Sequence, residues 1–433
     1  MGHSNVTDIY RKLGKKIDAA ATRAPWNAAL FEILKELYTP EEAEILVRMP
    51  YGLSSAKKIL EITKTDESHL IPVLEGLCEK GLVFDVMING RYHYMIAPMA
   101  VGIFEMTMMR TRGELSYKKW AELFNQYLHG SDDFYSVNCK PGNKVSIMRT
   151  LPHQEAVDEN PDIEILDYEK ATSIIENTDK FGVGLCSCRH EKLHLGKKEC
   201  DTPLETCLSL GRSADSLIRH GFAREITRSE VLEKIAISKD FKLVLSADNV
   251  KNDVGFICQC CGCCCNVLLG ISQHGFPNTV ITSSFIAQVD EISCTGCEKC
   301  ANNCPVQAID MIDHEDPSSG KMKRPKIDEK ICLGCGVCAL SCQKGAIKLV
   351  EREKRVLCPE STFERVILAS LERGTLQYQL FNEPQNISHK VLRGLVGGFL
   401  RLPFVKQGLM SEALRSRFLT VLTEAAKKRV VQE

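Results

Sequence analysis

Apolar positions near the start of the chain recur at helical spacing. Thr39-Pro40-Glu41-Glu42 joins a cap residue, a proline at the first helical position and acids in the first turn, which predicts a helix through Ala43–Arg48. Leu60, Ile62, Leu70, Val73, Leu74 and Leu77 continue near that period and predict helices over 54–63 and 66–80, the second stopped by Gly81. The period then falls to two in VFDVMINGRYHYMIA, where Asn89-Gly90 predicts a hairpin. Three helices and a hairpin is the order of a winged-helix domain, assigned here to residues 1–100.

Residues 99–135 read as further helix, with Phe104, Met106, Met108, Met109, Trp120, Phe124 and Tyr127 as core. Pro152, Pro161 and the short apolar runs VSIM and IEIL predict strands and connections over 143–169, and a helix resumes over 170–177. FGVGLCSC reads as a strand entering a loop. Pro203 reads as the first residue of another helix, carrying Cys207 on its opening turns. Thr227 and Glu230 form a capping box for a scaffold helix over 228–238.

From His389 onward the polar positions turn basic: Lys390, Arg393, Arg401, Lys406, Arg415, Arg417, Lys427, Lys428 and Arg429 stand against Glu412, Glu424 and Glu433. The interleaved apolar residues suit a helical cap, a docking helix or contact with a membrane surface. Pro403 and Gly397-Gly398 are expected to break the first stretch.

Composition sharpens this picture at one point. The 433 residues carry a formal charge of −1, so net charge points to no polyanion. The helix over 66–80, where a DNA reader would be basic, holds Asp66, Glu67, Glu75 and Glu79, so nucleic acid is not expected as a partner. The unusual number is 21 cysteines, with no apolar leader in MGHSNVTDIYRKLGKKIDAA and no run long enough for a membrane span. A cytoplasmic, reducing setting is expected, so cysteine spacing is read as metal ligation. Only Cys78, Cys139 and Cys358 fall outside 186–342.

Cys294-x2-Cys297-x2-Cys300-x3-Cys304-Pro305 is repeated as Cys332-x2-Cys335-x2-Cys338-x3-Cys342, each run ending in an Ala-Ile pair. This duplication is the bacterial two-cluster pattern, in which the fourth cysteine of each run serves the other cluster. It predicts two [4Fe–4S] clusters: cluster I on Cys294, Cys297, Cys300 and Cys342, and cluster II on Cys332, Cys335, Cys338 and Cys304. Gly296, Gly334 and Gly336 would relieve the tight turns. Zinc sites use two separated pairs instead of a 2-2-3 run. Gln343 replaces the proline that follows the first run, so the two environments are expected to differ. The intervening HEDPSSGKMKRPKIDEK reads as a solvated loop or hairpin.

Upstream lie Cys186, Cys188, Cys200 and Cys207, which a strand end and a helix start would close on one metal: an iron–sulfur cluster, a zinc ion, or unliganded thiols. Arg189, His190 and His194 stand ready to hydrogen-bond sulfur. Cys258, Cys260, Cys261, Cys263, Cys264 and Cys265 cannot all serve one cubane, because neighbouring side chains diverge. They predict at least one more cluster, with thiols to spare.

In CSCRHEKLHLGKKECDTPLETCLSLG, ICQCCGCCC and the two cysteine runs, the chain resembles a family of anaerobe iron–sulfur proteins that join a winged-helix-like start to a two-cluster ferredoxin module. The resemblance spans about residues 5–355 and implies a redox role beside a flavoprotein or a larger reductase. The expectation is an α+β multidomain chain: a winged-helix-like domain at 1–100, a cysteine-rich middle domain at 101–285, a ferredoxin domain at 286–352 and a basic helical tail at 353–433. Its expected function is electron transfer through two [4Fe–4S] clusters and one or two further iron–sulfur centres. Two alternatives remain: a reductase whose chemistry occurs at the CCGCCC cysteines, and a redox-responsive regulator. No dinucleotide or Walker pattern is present, so those cofactors would belong to a partner.

Overall fold

The computed structural model describes residues 2–110, 116–158, 163–316 and 321–432. Contacts divide the chain into two compact units: Met1–Asn138 with Arg219–Phe222 and Ser361–Glu433, and Cys139–Ile218 with Ala223–Glu360.

The first unit is built from helices and one small sheet. Thr39 and Glu42 close a reciprocal capping box on the helix Pro40–Arg48. Helices Ala56–Thr63 and Glu67–Glu79 follow, and the chain turns at Gly81 with φ +73°. Strands β1 (Ser54–Ser55), β2 (Val83–Ile88) and β3 (Arg91–Ile96) pair in the order β1-β3-β2. Asn89 and Gly90 both adopt positive φ, the signature of a tight hairpin turn. The Met- and aromatic-rich stretch packs as core: Trp120, Phe124 and Tyr127 are fully buried on the helix Tyr117–His129, and Phe104 meets Phe124 edge-on at 5.2 Å. Residues 111–115 of that stretch lie outside the described residues, as does Pro161.

The tail forms the helices Ile387–Leu400, Pro403–Met410 and Glu412–Gln432. Gly397-Gly398 does not interrupt the first of them, contrary to expectation. The break falls at Pro403, which lacks the N–H needed to continue a helix, whereas glycine keeps it. Among the described residues, no helix is long and apolar enough to cross a membrane.

The second unit centres on six antiparallel strands. These are β4 (Met148–Leu151), β5 (Phe181–Leu185), β6 (Glu205–Leu210), β7 (Arg224–Glu225), β8 (Val244–Asp248) and β9 (Phe256–Cys260), ordered β4-β8-β9-β6-β5-β7. Cys207 therefore lies on a strand and not on a helix opened by Pro203; in LETCLSLG the β-branched and alternating residues pair with both neighbours. Beyond the sheet, β10 (Phe285–Val289) pairs with β13 (Ile347–Glu351), enclosing the hairpin of β11 (Ile309–Asp316) and β12 (Lys321–Ile327). The tip of that hairpin, 317–320, is outside the described residues.

The large sheet and the duplicated region share one core. Met148, Val244, Cys260 and Leu268 cluster with Phe285, Val306, Leu333, Val337 and Leu349. Backbone bonds stitch them together: His153 N donates to Cys335 O at 3.0 Å, and Ser283 N donates to Leu333 O at 3.0 Å. Gly334 sits at the tightest point, with φ +66°; a Cβ there would lie 2.1 Å from Phe285 O. Gly345 is also left-handed, at φ +63°, but has open space around it. Gly334→Ala should therefore cost roughly 3 kcal/mol, strain plus overpacking, and Gly345→Ala about 1 kcal/mol. Thermal unfolding of the metal-loaded protein is expected to fall by about 10 °C for the first and about 3 °C for the second.

Candidate metal centres

The two cysteine runs fold as near-copies. In each, a loop with left-handed residues wraps three thiols around a space and ends in a short helix, Lys299–Asn302 or Val337–Ser341. A cavity of about 100 Å³ is lined by Cys294, Cys297 and Cys300 from the first run and by Cys342 from the second. Cys304, the last thiol of the first run, instead neighbours Cys332, Cys335 and Cys338. The fourth thiols are thus exchanged between the repeats.

The donors fit an anionic iron–sulfur group. Thiols converge, and backbone N–H groups turn towards them: Ala308 donates to Cys304 Sγ at 3.2 Å, and Lys299, Ala301, Val337 and Ala339 donate to Cys297, Cys300, Cys335 and Cys338. The two environments differ, as the Pro305/Gln343 departure suggested. Cys332, Cys335 and Cys338 are each 8% exposed, whereas Cys297 is open to solvent and Cys294 and Cys342 are half-buried. Gln343 accepts from Lys299 Nζ at 2.7 Å on the rim of the solvent-facing cavity. Pro305 faces inwards, where its carbonyl lies 2.8 Å from where a Cβ on Gly262 would be.

Ten more thiols gather at one end of the large sheet, for a topological reason. β5 ends there at Leu185, antiparallel β6 begins there, and β9 ends there at Cys260, so three strand ends deliver Cys186, Cys207, Cys258 and Cys260 together. Cys186 precedes the helix Ser187–His194, which carries Cys188, and Cys265 precedes the helix Asn266–Ser272. Sulfur contacts run from Cys186 to Cys188, to Cys265, to Cys260, to Cys258 and to Cys207. A buried lock holds the two helices: Asn266 Nδ2 donates to Glu191 Oε2 at 2.7 Å, and Lys192 pairs with Glu191 at 3.1 Å. Burial raises the Glu191 carboxyl, and Lys192 opposes that shift.

Cys200 departs from the sequence expectation. It does not close with Cys186, Cys188 and Cys207 but joins Cys261, Cys263 and Cys264, beside Leu243. The irregular segment between His194 and Glu205 carries it away from the strand ends. The CCGCCC run is divided accordingly. Cys258 and Cys260 share a face of β9 at the strand period of two, while the turn after Cys260 sends Cys261, Cys263 and Cys264 to the other side. The alternation in ICQC signals the first part of this split; nothing in the sequence signals the recruitment of Cys200.

Arg189 lies between the two groups, only 1% exposed, and donates to Thr206 Oγ1 and Gln259 O. Burial opposes its charge, but Cys186, Cys261 and Cys260 around it hold it protonated. His190 and His194 contact each other, ring nitrogen to ring nitrogen, at 3.0 Å.

Residues 293–346 match the family model of the 4Fe-4S dicluster domain. No curated protein matches the chain, and no solved structure does. The domain match and the converging thiols identify [4Fe–4S] as the cofactor of this region and iron–sulfur electron transfer as its chemistry.

Backbone N–H donation from Lys299, against little burial, lowers the Cys297 thiol, whereas burial pushes Cys335 up to about 12. The thiolate is the reactive form. In metal-stripped protein near neutral pH, iodoacetamide is therefore expected to label Cys297 much faster than Cys335, as read by peptide mass mapping. The Cys335 rate should climb about tenfold per pH unit until its thiol ionises.

Proposed function

We propose that this protein relays electrons through two [4Fe–4S] clusters, one held by Cys294, Cys297, Cys300 and Cys342 and the other by Cys332, Cys335, Cys338 and Cys304. The exchange of Cys304 and Cys342 between the repeats carries the reading, because it ties the two thiol sets into one body. Bound clusters supply one-electron carriers whose reduced form holds more negative charge. The chain tunes that charge: N–H groups aimed at sulfur favour it, and burial opposes it. The set of Cys332, Cys335 and Cys338 is the more buried, so it is the harder to reduce.

Cys186, Cys188, Cys207, Cys258, Cys260 and Cys265 are assigned a third iron–sulfur centre. Its connection to the inner cluster is the shared core in which Cys260 and Cys265 cluster with Cys332, Cys335 and Cys338. At the other end, the rim around exposed Cys297 has mixed charge. Lys323 pairs with Glu298 at 2.9 Å and Arg324 with Glu291 at 2.9 Å, which suits docking of a flavoprotein or a larger reductase. The three helices and hairpin over 40–96 are read as a winged helix that binds protein and not DNA, in keeping with the acidic helix Glu67–Glu79. On the helix Ile387–Leu400, Ile387, Val391, Leu395 and Phe399 form an exposed row at intervals of four, with Lys390 nearby. This supports a cytoplasmic protein with peripheral contact to an anionic membrane surface.

One observation favours a second reading. A cubane takes four thiolates and the strand-end group offers six, so spare thiols would allow substrate reduction at that centre.

Anaerobic iron and acid-labile sulfide counting, with EPR on stepwise reduction, tests the relay. About twelve irons per chain are expected, four for each cubane, with about eight retained in a Cys186→Ser/Cys188→Ser/Cys258→Ser/Cys260→Ser variant, which leaves too few thiols for a third cubane. The solvent-facing cluster should reduce at the higher potential. A colourless protein, or one holding only zinc at the eight ferredoxin thiols, would overturn the assignment.

A further inference from the structure

The four thiols set apart from the strand-end group have a geometry of their own. Every pair of sulfur atoms among Cys200, Cys261, Cys263 and Cys264 lies within 4.8 Å. Cys200 is 3.7 Å from Cys261 and 4.0 Å from Cys264, and Cys263 is 3.5 Å from Cys264. Four ligands around one ion at a metal–sulfur distance of about 2.3 Å form a tetrahedron with edges of about 3.8 Å. A cubane places its four thiolates on four different irons and so holds them further apart. The same molecule supplies the contrast: among the described residues, no three of the eight ferredoxin cysteines, nor of the six strand-end cysteines, come mutually within 4.8 Å. A disulfide would need a bond of about 2.05 Å.

From this spacing we infer that Cys200, Cys261, Cys263 and Cys264 bind one zinc ion, a tetrahedral structural site separate from the iron–sulfur centres. Four thiolates leave no position for water or substrate, which marks a closed site and not a catalytic one. Cys264 is fully buried and Cys261 nearly so, with Leu243 alongside. Zinc has no preferred angle set by d electrons, so it tolerates the uneven edges imposed by the adjacent Cys263 and Cys264.

Charge provides an independent observation. A dication bound by four thiolates carries a net charge of about −2 and needs a buried cation nearby. Arg189 supplies it: its guanidinium faces Cys261, and among the described residues no carboxylate forms an ion pair with it. Its two other acceptors, Thr206 Oγ1 and Gln259 O, are neutral, so the negative charge beside it comes from sulfur.

The site clasps the irregular loop bearing Cys200 to the turn bearing Gly262, and that turn meets Pro305 beside the inner cluster. Zinc would thus hold in place the junction between the middle sheet and the ferredoxin region.

Metal analysis and zinc-edge X-ray absorption on the anaerobically purified full chain test this without any variant. About one zinc per chain with four sulfur neighbours near 2.3 Å is expected. Cys200→Ser should then lose the zinc while iron, sulfide and the ferredoxin EPR signals stay unchanged, since that thiol belongs to neither other group. Zinc absent from the wild-type protein, zinc with nitrogen or oxygen neighbours, mononuclear iron in its place, or a disulfide among the four cysteines would each overturn the proposal. So would a loss of iron and sulfide in Cys200→Ser. The zinc and iron readouts are independent, so failure of the electron-relay reading would leave this result distinguishable.

Discussion

Burying sulfur-centred negative charge is the constraint around which the second unit is organised. Eighteen of the 21 cysteines fall between positions 186 and 342, eight of them buried and nine half-buried. Left alone, such thiols stay protonated, as burial of Cys335 and Cys338 illustrates. Three features of the chain offset the cost of the charged form: backbone N–H groups turned inwards by left-handed residues, the guanidinium of Arg189, and the metals themselves. Each uses a different kind of positive partner, and each is placed by secondary structure.

The shared core changes how the ferredoxin region is understood. It is not a bead attached to the rest of its unit. Phe285, Val337 and Leu349 pack with Met148 and Val244, and the loop around Cys335 is hydrogen-bonded to His153. The Pro305/Gln343 difference between the cysteine repeats follows from this. Pro305 fits where the first repeat meets Gly262, and Gln343 fits where the second meets solvent and Lys299.

Much of this was legible before any coordinates. The helix cap at Thr39, the Asn89-Gly90 turn, the Trp120 core and the spacing of the two cysteine runs each rest on local chemistry that a sequence displays directly. What escaped notice was long-range. Pro203 is compatible with a helix start, but pairing with β5 and β9 on either side made the following residues a strand, a tertiary effect that outweighs local preference. The grouping of Cys200 with Cys261 depends on a loop path across 61 positions. The need for the smallest side chain at Gly262 arises from a residue 43 positions later in the chain.

The swap of Cys304 and Cys342 also has a consequence for biogenesis. Neither thiol set is complete when the first repeat leaves the ribosome, because the cavity of Cys294, Cys297 and Cys300 still lacks Cys342. Translation must pass the second repeat before cofactor delivery can finish at either place. A nascent chain arrested between the repeats would present Cys294, Cys297 and Cys300 without their fourth partner, so both ferredoxin clusters have to wait for the second repeat.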